Sequence, residues 1–192
     1  MKHIIIILTA IVFINCNVDK IFAQTDSTTV YSRTTRELES STIPSDVFKM
    51  TNLRKLCITG MDCDYKKTDD KGNDITKCWA IGEIPGQVRN LKHLESLILR
   101  VNNIQTLPKE INELKSLRTL DLTDNPGLSN IDNVVGLENL EELVLFGCYL
   151  TKLPKDIGRL RNLKYLGLTE NDIDSQEKER IKKALPTCDI KF

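Results

Sequence analysis

The sequence has no surplus of charge of either sign, because 27 basic and 27 acidic side chains cancel across its 192 residues. A nucleic-acid role driven by bulk charge is therefore excluded. Histidine is nearly absent, with only two in the chain. His3 falls in an N-terminal leader, which leaves His93 alone, so a histidine-based triad or a multi-histidine zinc site lacks its ligands. There is no G-x-x-x-x-G-K-[ST] phosphate loop and no G-x-S-x-G serine. Asp62, Asp64, Asp69, Asp70 and Asp74 crowd one stretch but lack the D-x-D-x-D-G register of a calcium loop. We expect no catalytic residues, no cofactor and no metal. What is present, 40% hydrophobic and 28% charged residues, suits one water-soluble domain with its own core.

Long hydrophobic runs are also missing. The longest uncharged apolar stretch, residues 4–14, follows the basic start Met1-Lys2-His3. As a helix it would reach about 16 Å against the ~30 Å of bilayer hydrocarbon, so it is too short for an anchor. The stretch after it ends in Ile-Phe-Ala before Gln24, which puts a small residue at the end of the segment to be removed. Residues 1–23 read as a signal peptide cleaved after Ala23, and the chain is expected to be secreted or held at the cell surface with no transmembrane segment in its mature form. Cys16 as a lipid-attachment site is the alternative, although Phe13-Ile14-Asn15 lacks the small residue such a site needs. Export matters for the five cysteines that remain, Cys57, Cys63, Cys78, Cys148 and Cys188, because pairs persist outside the cytosol and an odd number leaves one over.

The chain repeats itself. Leu94, Leu97, Leu99 and Asn102 recur as Leu117, Leu120, Leu122 and Asn125, as Leu140, Leu143, Leu145 and Cys148, and as Leu163, Leu166, Leu168 and Asn171, each offset by 23 residues. A weaker copy is Leu53, Leu56, Ile58 and Met61. Ahead of these units run Ile43-Pro44, Ile84-Pro85, Leu107-Pro108 and Leu153-Pro154, each with an aliphatic residue three positions after the proline; the unit from Ile131 has Asp132 in the proline's place. Leu-x-Leu alternation points both leucines to one side of a short strand, and the spacing of three suits a tight helical turn. One such unit cannot bury its own leucines, so copies must stack.

These units resemble the leucine-rich repeat family, whose L-x-x-L-x-L-x-x-[N/C]-x-L signature is matched at five sites over about residues 43–174. The resemblance implies an α/β solenoid with a curved parallel sheet on its concave face and short helical or 3-10 segments on its convex face. Asn102, Asn125, Cys148 and Asn171 should form a structural ladder, since an amide at the bend can satisfy buried backbone groups. Cys148 takes an asparagine slot and is read as a buried structural thiol. Met61 cannot donate, so the ladder should start at Asn102.

The rhythm breaks in three places. Residues 24–42 are rich in serine and threonine and are expected to be a flexible segment and a loose cap. An insert at about 62–82 reads as a hairpin with its tip at Asp70-Lys71-Gly72-Asn73 and with Cys63 and Cys78 equidistant from that tip, which suggests a Cys63–Cys78 disulfide; Cys57 paired with one of the two is the rival. Cys57, near Lys55, is also the one cysteine conceivable as a reactive thiol. After Asn171, Asp174 and Glu177 read as a capping box that opens a helix to about Leu185, ended by Pro186, with a last strand carrying Ile190 and Phe192 inward.

The variable positions beside the leucines align into outward columns. Ile98, Arg100, Asp121, Asp124, Glu142, Val144, Phe146 and Tyr165 are the candidate partner-binding residues: Val144, Phe146 and Tyr165 as an apolar patch, the charged ones as a mixed rim. The expected function is non-catalytic recognition of a protein or peptide through this concave face, as the resemblance implies. The alternative is a cell-surface or adhesive protein that binds carbohydrate or matrix.

Overall fold

The computed structural model describes residues 29–60, 62–63, 71 and 78–192; the expected cleavage after Ala23, Cys16, Met61 and the tip of the insert apart from Lys71 lie outside the described residues. Seven strands form one parallel sheet: β1 (Val30–Thr34), β2 (Lys55–Thr59), β5 (Ser96–Ile98), β6 (Thr119–Asp121), β7 (Glu142–Val144), β8 (Tyr165–Gly167) and β9 (Asp189–Lys191), in that order across the sheet. β3 (Asp62–Cys63) and β4 (Cys78–Trp79) form a separate antiparallel pair.

The repeat period sets the register. Leu56, Leu97, Leu120, Leu143, Leu166 and Ile190 sit side by side on adjacent strands. The five leucines among them are fully buried and form one continuous core with the leucines of the return arms. At ~1.5–3 kcal/mol per buried aliphatic side chain, this spine dominates stability. Opposite the strands lie tight 3-10 turns, Ser45–Lys49, Gly86–Asn90, Lys109–Glu113, Asp132–Gly136 and Ile157–Arg159. In four of them the proline carbonyl accepts the amide of the aliphatic residue three positions on, as in Val88 to Pro85 at 3.0 Å and Ile111 to Pro108 at 3.1 Å. The unit from Ile131 corrects the expected alignment: Ile131, not Asp132, stands in the proline's slot, 23 residues after Pro108, and its carbonyl accepts from Val134 at 2.8 Å. A proline only presets this turn; the buried Val134 fixes it.

The ladder forms as its chemistry requires. Asn125 is fully buried; its amide donates to the carbonyls of Leu99 and Leu122, each at 2.8 Å, and its oxygen accepts from Ile104 at 2.9 Å. Asn102 does the same for Ile58, Arg100 and Ile81, and Asn171 for Leu145, Leu168 and Leu150. Cys148 keeps half the role. Its thiol donates to Leu122 at 3.1 Å, and burial pushes its pKa up to about 11, so it is a structural thiol and not a nucleophile.

The residue before each ladder position falls in an outward column of the sequence pattern, but its backbone conformation leaves no trace in that pattern. Val101, Asp124, Gly147 and Glu170, again 23 apart, all have left-handed backbone, with φ of 54°, 55°, 64° and 57°. The amides of Val101, Asp124 and Gly147 donate to the exit of the next strand, on Thr123, Phe146 and Thr169. The equivalent Gly60 donates to Arg100, and a β-carbon there would come within 2.4 Å of the Val101 carbonyl.

Two end regions depart from expectation. Within residues 24–42, Val30–Thr34 is a strand in register with β2, and Thr34 caps the short helix α1 (Thr35–Leu38) through a reciprocal box with Glu37. The signal was present as β-branched and aromatic residues followed by Thr34-x-x-Glu37. At the other end Asp174 caps helix α2 (Ser175–Ala184) by accepting from the Glu177 amide at 2.8 Å. The expected second half of that box is replaced: the Glu177 carboxylate instead accepts from the Leu153 amide and from Arg180, tying the cap to the last coil.

Asn125→Leu should lower stability by about 2–3 kcal/mol, because the carbonyls and the amide it serves stay buried without partners; an unchanged urea midpoint would contradict this. Val101→Asn should raise stability by up to about 1 kcal/mol, since a β-branched residue is costly in left-handed backbone and asparagine tolerates it. Thermal melting checks the sign.

Candidate recognition face

The side of the sheet opposite the leucine spine carries three in-register columns. The first is Lys55, Ser96, Thr119, Glu142 and Tyr165, all half-buried. The second is Cys57, Ile98, Asp121, Val144 and Gly167. Beyond the strand ends follow Thr59, Arg100, Thr123, Phe146 and Thr169.

The middle column corrects the expectation of an open surface. Ile98 is 0% exposed and Asp121 1%, so neither is available for direct contact. Arg100 reaches diagonally across the face to Asp121, with its Nε at 2.7 Å and an Nη at 2.5 Å from the same carboxylate oxygen. The other oxygen accepts from the Thr123 amide and hydroxyl at 3.0 and 2.7 Å. Asp121 is thus a structural anion with all its bonds made, and Arg100 is its partner.

The other candidates stay accessible. Val144, Phe146 and Tyr165 are half-buried on or just beyond the neighbouring strands β7 and β8. Gly167 is buried beside them, and a β-carbon there would touch the Tyr165 ring and Val144. Glu142 accepts only a long bond of 3.4 Å from Thr119. Asp124 lies at the strand exit, where burial first, then Glu170 and Asp121, raise its pKa above the ordinary carboxylate value. Tyr149 was missed by the column pattern, because it lies in the loop after Cys148. At 61% it is the most exposed large hydrophobic side chain among the described residues, and its backbone is also left-handed, φ 53°.

Other features do not compete with this face. A groove of about 550 Å³ at the strand starts is lined by Arg118, Glu141, Arg161 and Lys164, but Glu141 already bridges Arg118 and Lys164. His93 is exposed on the outer side. Cys57 is fully buried and its sulfur is engaged, as is that of Cys78, which faces Cys63 across the β3–β4 pair. Cys148 and Cys188 are the free thiols among the described residues. No three His, Cys, Asp or Glu side chains among the described residues are grouped to hold a metal, and no described helix is long and apolar enough to cross a membrane.

A family model described as leucine-rich repeat region matches residues 74–188. The chain belongs to the leucine-rich repeat family. Among solved structures it is similar to a leucine-rich repeat protein of Leptospira interrogans, at 35% identity and a TM-score of 0.65 over 78% of this chain and 34% of that one. It is also similar to the leucine-rich repeat domain of the type III effector XopL, at 25% identity and a TM-score of 0.58 over 78% of this chain and 56% of that one. An internalin of Listeria monocytogenes shares the fold at 21% identity and a TM-score of 0.57, over 78% of this chain and 37% of that one. The chain thus spans about a third of the Leptospira protein's length and over half of the effector domain's. No curated protein matches it. Leucine-rich repeat solenoids commonly serve as protein-interaction modules, and the open sheet face is the surface this one presents.

Asp124 is a carboxylate kept at a cost. A raised folded-state pKa means the native state holds that proton more tightly than the unfolded chain does, so stability falls as pH rises from the unfolded towards the folded pKa. Asp124→Asn should therefore melt higher than the parent at pH 7, by an amount that shrinks as the pH drops through the carboxylate range. Melting curves at the two pH values test it, and a gain that is independent of pH would contradict the electrostatic origin.

Proposed function

We propose that this chain is an exported, non-catalytic recognition module that binds a protein or peptide segment through the open face of its sheet. The observation that carries the reading is the group of accessible apolar side chains on or just beyond the neighbouring strands β7 and β8, Val144, Phe146 and Tyr165, on a scaffold whose other apolar residues are mostly spent on the core. Aromatic side chains of this kind concentrate binding energy at interfaces. A few accessible side chains on three-residue strands suit one modest contact. Export is supported by the leader pattern of residues 1–23 and by the cysteines: the sulfurs of Cys57 and Cys78 are both engaged while Cys148 and Cys188 are free, an arrangement that fits Cys57 paired with an insert cysteine better than Cys63 paired with Cys78. Mass analysis of the protein from its native compartment under non-reducing conditions should find Gln24 at the N-terminus. Retention of Met1, or a lipid on Cys16, would replace that part of the reading.

Phe146→Ala combined with Tyr165→Ala should weaken binding to a captured partner at least tenfold while leaving the melting temperature of the spine nearly unchanged, because neither residue belongs to the buried core. Equal binding by the double variant would remove the face from consideration. Capture on a glycan array with no protein partner recovered would favour the carbohydrate-binding alternative.

A further inference from the structure

The charges on the recognition face are sorted. At the outer edges of the solenoid, acidic side chains are neutralised in place: Glu95 by Arg54, Glu113 by Lys92, Glu141 by Arg118 and Lys164, Glu177 by Arg180 and Glu179 by Lys182. On the face the pattern is different. Arg100 and Asp121 cancel each other at its centre. On one side of that pair Lys55 has no ion-pair partner among the described residues, and it is half-buried beside the Arg100 charge. On the other side Glu142, Asp124 and Glu170 have none among the described residues either, although Asp124 bears the combined repulsion of Glu170 and Asp121. The face is therefore polar in the electrical sense, with its positive end on β2 and its negative end on β7 and the exits of β6 and β8.

The register gives this polarity a length. Lys55 and Glu142 occupy the same column, three strand intervals apart. At ~4.8 Å per interval that is about 14 Å, the span of about four residues of extended chain. Immediately beyond Glu142 lie the apolar side chains of Val144, Phe146 and Tyr165. Between the charged ends stand the small side chains of Ser96 and Thr119, the Ser96 hydroxyl buried without a hydrogen-bond partner among the described residues.

We propose that the occupant of this face is an extended peptide segment bearing an acidic and a basic side chain about four to five residues apart, the acid against Lys55 and the base against Glu142, with an apolar residue next to the base seated on Phe146 and Tyr165. This rests on the face being the binding surface, and it adds the chemistry of the partner and the direction in which it lies. Electrostatic complementarity of this kind selects partners and fixes their register, even where it adds little net affinity.

The test is selection from a random dodecapeptide display library on the whole protein, with parallel selections on Phe146→Ala/Tyr165→Ala and on the double reversal Lys55→Glu/Glu142→Lys. Selected sequences should carry an acid and a base at the stated spacing with an apolar residue beside the base. A synthetic peptide of that type should lose at least tenfold in affinity on Lys55→Glu or Glu142→Lys alone. The same peptide with its acid and base exchanged should bind the double reversal better than the parent. Lys55→Met and Glu142→Gln, milder changes on half-buried sites, should each weaken binding in the same direction if a reversal proves poorly folded. Peptides that depend on Phe146 and Tyr165 but carry no such charge pair would overturn the charge pattern and leave the face intact. If no selected peptide depends on Phe146 and Tyr165, the face itself fails and this inference with it. A dimer in light scattering that Lys55→Glu dissolves and the double reversal restores would overturn the peptide in favour of a second copy of this chain.

Discussion

Every feature of this protein follows from an apolar side that a single 23-residue coil cannot cover by itself. A coil contributes a three-residue strand and a one-turn return arm, too little to enclose its own leucines. Only a neighbour in the same register closes over Leu97, Leu120, Leu143 and Leu166, so position along the chain and position in space become the same variable. The strand exits then face a second constraint, because backbone groups inside the stack have no water. Asn102, Asn125 and Asn171 bridge each coil to the one before it. Hydrophobic contact holds the coils together, and the amides fix how they are aligned.

The parts legible in the sequence were those governed by this repetition. The leucine spine, the tight turns after Pro85 and Pro108, the amide ladder and the helix after Asp174 all recur or carry a local capping signal. What was not legible depends on how neighbouring columns lean on one another. Alternation correctly assigns Ile98 and Asp121 to the outer face of the sheet, yet both are buried, and the Arg100 side chain lies diagonally across the face to Asp121. Tyr149 escaped for the opposite reason: it lies outside any column, in a loop whose backbone conformation leaves no trace in hydrophobic spacing. Val30–Thr34 was hidden because one edge strand among serines and threonines has no repeat partner to align with.

The left-handed slot before each ladder residue shows where stability and recognition pull apart. Glycine occupies it once, at Gly147, without penalty, whereas Val101, Asp124 and Glu170 occupy it at a conformational cost. Asp124 and Glu170 also repel each other across the strand exits. Residues held against both backbone preference and charge, at the rim of the accessible face, are where a scaffold departs from its own optimum in favour of a ligand.

The ion pairs just before the strands bear on how the stack is counted. Arg54, Glu95, Arg118, Glu141 and Lys164 occupy one position of successive coils and alternate in sign, with Glu141 shared between its two neighbours. Each exposed pair adds at most about 1 kcal/mol. Near-identical coils, however, offer a folding chain the chance to dock one coil onto the next but one, with leucine still meeting leucine. Such a skip would bring Arg54 against Arg118, Glu95 against Glu141, and Arg118 against Lys164. The alternating edge works as a parity check, letting a weak surface interaction reject an error that the greasy interior has no means of detecting.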